Sequence, residues 1–120
     1  MTTPVKLAGI TLPSSNLEKS LEFYRDVVKF DVFVVQENAA FLTTGSAPLA
    51  IYRAGSDSDM DASGHGLFIN VSVNDIEELK RRLAAFGTAP IKEWEEGSEI
   101  HVLVADPDQN RVEFECPMVT

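Results

Sequence analysis

The chain has 120 residues, 44% apolar and 24% charged, which suits a single globular domain around one core. Its longest apolar runs, Val32–Val35 and Val102–Ala105, fall far short of the ~20 residues of a membrane span. Met1–Lys6 lacks the apolar stretch of a secretory signal, and the single cysteine, Cys116, excludes an internal disulfide and a cysteine-based zinc site. With a net charge of −9 and no basic cluster beyond Lys80-Arg81-Arg82, a cytoplasmic protein with no nucleic-acid and no membrane partner is expected.

Residues 5–12 predict a first strand. Ser15 or Asn16 can cap the following helix, and Glu18, three places after Ser15, suits a capping box. Leu17, Leu21, Tyr24 and Val28 then recur at helical spacing and give one apolar stripe. Phe30–Gln36, Phe41–Thr43 and Leu49–Arg53 predict three more strands. Tyr52 is expected to pack on the first helix. Residues 54–65 are polar, short in side chain and glycine-bearing, and predict a linker. Asp57, Asp59 and Asp61 within it lack the glycine and terminal glutamate of a calcium loop.

Leu67–Val73 predicts the next strand. Asn74 or Asp75 caps a helix with the stripe Ile76, Leu79, Leu83 and Phe86, which stops at Gly87. Pro90–Trp94 suggests a weak strand and Glu99–Ala105 a clear one. Asp106–Asn110 is a turn, and Arg111–Cys116 is the last strand. The apolar neighbours of Cys116 predict a buried structural thiol.

The order repeats. Ile10-Thr-Leu12 followed by Asn16-Leu17-Glu18 returns 59 residues later as Ile69-Asn-Val71 followed by Asp75-Ile76-Glu77. The expected architecture is α+β: one domain of two β-α-β-β-β modules, residues 5–53 and 66–116, joined by the linker. Residues 1–60 carry a net charge of −2 and residues 61–120 a net of −7. In the second half the strands oppose an apolar face to a mixed one holding Phe68, Asn70, Ser72, Glu99, His101, Leu103, Arg111, Glu113 and Glu115. A mixed face fits the lining of a wet cavity, and the acidity fits a cationic ligand.

Two segments resemble the vicinal oxygen chelate superfamily, which includes glyoxalase I, extradiol dioxygenases and the fosfomycin and bleomycin resistance proteins. They are Asn16-Leu17-Glu18-Lys19-Ser20-Leu21-Glu22-Phe23-Tyr24 and Asp106-Pro107-Asp108-Gln109-Asn110-Arg111-Val112-Glu113-Phe114, with Gln109 where glycine is common. The resemblance implies curled mixed sheets around a cleft. In enzymatic members the cleft holds a divalent metal acting as a Lewis acid. Carried onto this sequence, the four ligand positions read Gly9, Ile51, Phe68 and Glu113. Three of them have no donor side chain, whereas a catalytic site normally takes three protein ligands, so no cofactor is expected. A metal rebuilt from His65, His101, Glu99 and Glu113 is the alternative.

Glu113 and His101 are the candidate polar anchors, or an acid–base pair. Asn70 is a candidate for ligand orientation, and Phe68, Phe41, Trp94 and Ile51 for apolar or stacking contact. The expectation is a metal-independent small-molecule binding protein similar to the bleomycin-resistance branch. It would sequester a cationic or aromatic drug or metabolite and pair as a homodimer. The alternative is an enzyme of the superfamily: a lyase, isomerase or dioxygenase with a non-standard metal site or Glu/His chemistry.

Overall fold

The computed structural model describes residues 9–55 and 68–118. His65 and the three aspartates of the linker lie outside them. The described chain runs β1 (Ile10–Ser14), α1 (Leu17–Glu22), β2 (Asp31–Val35), β3 (Ala39–Thr43), β4 (Leu49–Arg53), β5 (Phe68–Ser72), α2 (Ile76–Phe86), β6 (Lys92–Glu96), β7 (Glu99–Ala105) and β8 (Arg111–Pro117). The strands form two four-stranded mixed sheets of matching topology, ordered β1-β4-β3-β2 and β5-β8-β7-β6. The pair β1–β4 is parallel, as is β5–β8, and the remaining neighbours are antiparallel. No described helix is long and apolar enough to cross a membrane.

Caps set the helix starts. Asn16 accepts from Lys19 N at 3.1 Å and Asp75 from Glu78 N at 3.0 Å, each satisfying one amide of a first turn. The capping box expected at Ser15 does not form. Glu18 instead pairs with Arg53 on β4, Nη2 to Oε1 at 2.6 Å. Gly87 ends α2 at φ 82°, a left-handed conformation that glycine adopts without steric cost. Past α1 the chain widens into a π-helical turn over Phe23–Val27, closed by Val28 N donating to Phe23 O.

Both sheets turn their apolar faces onto the helices. Leu12, Leu42, Leu49 and Ile51 from the first sheet join Val102, Val104, Val112 and Phe114 from the second. Leu17, Phe23, Tyr24, Leu79 and Leu83 complete a single core. Cys116, at 3% exposure, is buried as expected. Phe23 and Phe86 meet edge to face at 5.6 Å, joining the helical layer of the two halves.

A polar clamp crosses between the halves. The β7–β8 turn places Asp108 against the start of α1. Its Oδ1 accepts from Ser15 N at 2.9 Å and Ser15 Oγ at 2.6 Å, and its Oδ2 accepts from Ser20 Oγ at 2.9 Å. Beside it, Asp106 Oδ2 accepts from the Tyr24 hydroxyl at 2.6 Å, and Oδ1 accepts from the amides of Asp108 and Asn110. Burial pushes the Tyr24 hydroxyl well above its ordinary pKa, and the Asp106 charge adds to it. Burial acts to raise Asp108, but the hydrogen bonds from Ser15, Ser14 and Ser20 outweigh it and hold the carboxyl below its usual value.

Candidate functional site

Pleating decides what each half-sheet shows on the face turned away from the helices. Directly paired residues share a face, so the register gives the composition. In the second sheet Asn70 stands beside Glu113, Ser72 beside Glu115, Glu115 beside His101, and His101 beside Trp94. In the first, Thr11 stands beside Ala50, Pro13 beside Tyr52, Ala39 beside Tyr52, and Phe41 beside Ala50.

This register corrects two expectations. By the internal repeat Thr11 corresponds to Asn70, so the partner of Thr11, Ala50, corresponds to Glu113. Ile51 is one residue further on and points the other way, fully buried in the core. Tyr52 does not pack on the first helix. It stands on the opposite face, edge to face with Phe41 at 5.9 Å. Both errors have one cause, a one-residue slip that turns a strand side chain over.

The polar groups converge in the second half. The His101 ring is stacked on Trp94, with centroids 5.0 Å apart and planes within 7°. Its Nδ1 lies 3.4 Å from Glu113 Oε2. Its Nε2 lies 3.8 Å from Glu99 Oε1 and 3.9 Å from Glu96 Oε2. The side chain is only 7% exposed, yet neither ring nitrogen has a hydrogen-bond partner among the described residues. Buried polar atoms are normally satisfied, so this ring is set apart. Lys92 Nζ lies 5.1 Å from the Trp94 ring centroid, a cation–π contact at the edge of the site.

His101, Glu113 and Trp94 thus lie together, with Asn70 next to Glu113 but exposed. Phe41 belongs to the other half-sheet and Ile51 to the core. Phe68 pairs with Arg111 through its backbone. Glu115 and Glu96 were not picked out as site residues from the sequence. Alternation along β8 already placed Glu115 with Glu113, whereas Glu96 needed the β6–β7 register.

Two cavities border this region. One, of about 530 Å³, is lined by Ser72, Asp75, Glu78, Arg82, Glu99 and Glu115 among others, and so opens beside the acidic cluster. The other, of about 500 Å³, lies between the β3–β4 loop, Thr44–Ala47, and β5; of the candidate residues only Asn70 lines it. Its titratable lining is the single Lys29, whereas the first carries Glu99 and Glu115 but is not lined by His101, Glu113 or Trp94.

The metal position of the superfamily does not fit this chain. Ala50 in place of Ile51 leaves the donor count unchanged at Glu113 alone. At Gly9, moreover, an added Cβ would stand 3.2 Å from the backbone oxygen of Pro48, whose carbonyl already accepts from Ile10 N. A ligating side chain there would require the β1–β4 backbone to shift.

Comparison with known proteins agrees with the fold. The model of the Glyoxalase/Bleomycin resistance protein/Dioxygenase superfamily matches residues 6–114. Metallothiol transferase FosB of Staphylococcus haemolyticus is 34% identical over 71 residues, 58% of this chain and 51% of that protein. FosB of Staphylococcus epidermidis matches to the same extent. The chain thus spans about half the length of the curated relatives it matches. The fosfomycin resistance protein FosX of Listeria monocytogenes superposes with a TM-score of 0.77 at 16% identity, over 98% of this chain and 97% of that one. Lactoylglutathione lyase of Agrobacterium tumefaciens gives 0.73 at 18%, over 95% of each.

Proposed function

This chain belongs to the glyoxalase/bleomycin resistance protein/dioxygenase superfamily, and from that premise we propose that it binds a small cationic molecule without using the metal position of the superfamily's enzymes. The observation that carries the reading is the exchange of donors. Ala50 and Gly9 stand where ligands would be needed, while Trp94, His101, Glu99, Glu113 and Glu115 gather on one face of the second half-sheet. Carboxylates beside an aromatic surface hold a flat cation by charge and by stacking. The net charge of −9 draws such a ligand in and repels polyanions, consistent with a cytoplasmic protein that has no nucleic-acid partner.

A thermal shift with benzamidine, a flat amidinium, in buffer containing EDTA tests this. Stabilisation is expected for the wild type and is expected to shrink at least tenfold in apparent affinity for Glu113→Gln and Trp94→Ala. An unchanged response in both variants, or none in the wild type across a series of aromatic amidines and amines, would overturn it.

The FosB relatives favour a second reading, an enzyme in which His101 and Glu113, 3.4 Å apart, exchange a proton with substrate. Turnover abolished by His101→Ala would support that reading over sequestration.

Pairing into a homodimer belongs to the same proposal. The edge strand β2 is exposed along its whole length, with Phe33 76% and Val35 54% exposed, and a bulge breaks its pairing with β3 between Val32 and Val34. Sedimentation velocity is expected to give a dimer for the wild type and a monomer for Phe33→Glu; a wild-type monomer would dismiss this part.

A further inference from the structure

We propose that His101, Glu113 and Glu115 form a binding site for a divalent transition-metal ion, built wholly within the second half-sheet and sharing only Glu113 with the four ligand positions of the superfamily. One donor atom from each of the three residues lies within 4.8 Å of the other two. Donors bound to one ion at about 2.0–2.2 Å stand roughly 3 to 4 Å apart, so the trio is slightly open. Closing it around an ion requires rotation of the two glutamate side chains. Both glutamates are half-buried, and β7 and β8 fix the spacing: His101 and Glu115 are directly paired, and Glu113 lies two places away on the same face.

Acidic side chains alone would not distinguish an ion site from a solvated patch. The histidine does. Its side chain is 93% buried by its 7% exposure, and Nδ1 is turned toward Glu113 with no hydrogen bond among the described residues. A buried nitrogen without a partner costs free energy unless something occupies its lone pair. A bound ion would occupy it. One imidazole and two carboxylates are a donor set for Zn²⁺, Co²⁺ or Ni²⁺ rather than for Mg²⁺, which favours oxygen ligands and water. The stacked Trp94 restrains the ring plane.

The inference stands apart from the small-molecule reading, because the trio either holds an ion or does not. The two meet in one respect. A bound ion neutralises the carboxylates that would attract an organic cation, so ion and cation would exclude each other.

Trp94 is the only tryptophan in the chain and reports directly on the site. Titration of the intact protein with Ni²⁺ or Co²⁺ is expected to quench its fluorescence saturably at one equivalent, with calorimetry giving the same stoichiometry. Mg²⁺ is expected to leave it unchanged. His101→Ala and Glu115→Gln are each expected to weaken binding at least tenfold by calorimetry, and Glu96→Gln to leave it within twofold. Circular dichroism shows whether each variant folds, and Glu115→Gln carries the test if His101→Ala does not. Absence of saturable binding, or equal affinity in Glu115→Gln and the wild type, would overturn the proposal. Ion binding without any benzamidine response in EDTA would defeat the small-molecule reading and leave this one standing; the converse would defeat this one alone.

Discussion

At matching points of the two half-sheets, Thr11 beside Ala50 corresponds to Asn70 beside Glu113, and Pro13 beside Tyr52 corresponds to Ser72 beside Glu115. The chain path is the same and the chemistry is not. The first half presents alanine, proline and aromatic carbon; the second presents carboxylates and an imidazole. The helical side shows the reverse. Ser20 of α1 is the counterpart of Leu79 of α2, and the first is a buried hydroxyl bonded to Asp108 while the second is plain core. Each half thus keeps one ordinary face and modifies the other. The first half receives its neighbour's turn, and the second holds the candidate site.

The comparison can be broken at the core first. Leu79→Ala removes a fully buried side chain from the second half, and a loss of about 3 kcal/mol is expected in urea unfolding. Ser20→Ala, at the equivalent place in the first half, takes one donor from Asp108 and is expected to cost about 1 kcal/mol. A cost at Ser20 equal to that at Leu79 would mean that the clamp, not the core, governs stability.

A pH profile sharpens the contrast with a smaller effect. The Asp108 carboxyl lies below its usual pKa when folded, so the unfolded chain binds its proton more readily. Its stabilising contribution is complete above the ordinary carboxylate range of about 4 and is lost as pH falls through the lowered folded value. Wild-type stability is therefore expected to fall more steeply below about pH 4 than that of Asp108→Asn. Equal slopes would show that the serine hydrogen bonds do not favour the ionised form.

Much of the architecture was legible from the chain because it depends on local periodicity. The strands Leu49–Arg53 and Glu99–Ala105 were bounded to the residue, and Gly87 marked the end of α2. The site was legible only in part. His101 and Glu113 were picked out because both lie on the mixed faces of long, regular strands. Glu115 shared that face without being singled out. Ile51 was misplaced because alignment between diverged halves slipped by one residue, and one residue is half a strand period. The Asp-Pro-Asp turn was recognised by its shape, but nothing local revealed that its second aspartate reaches Ser15 and Ser20, 93 and 88 residues away.

By itself, then, the sequence determined the elements, their order and the twofold repeat, since turns, caps and alternation act over a few residues. Only the tertiary structure decided that an imidazole without a hydrogen-bond partner among the described residues lies amid carboxylates and that the two halves are clamped through Asp108. Those features arise from strand register and from docking between distant segments, which no pattern within either segment encodes.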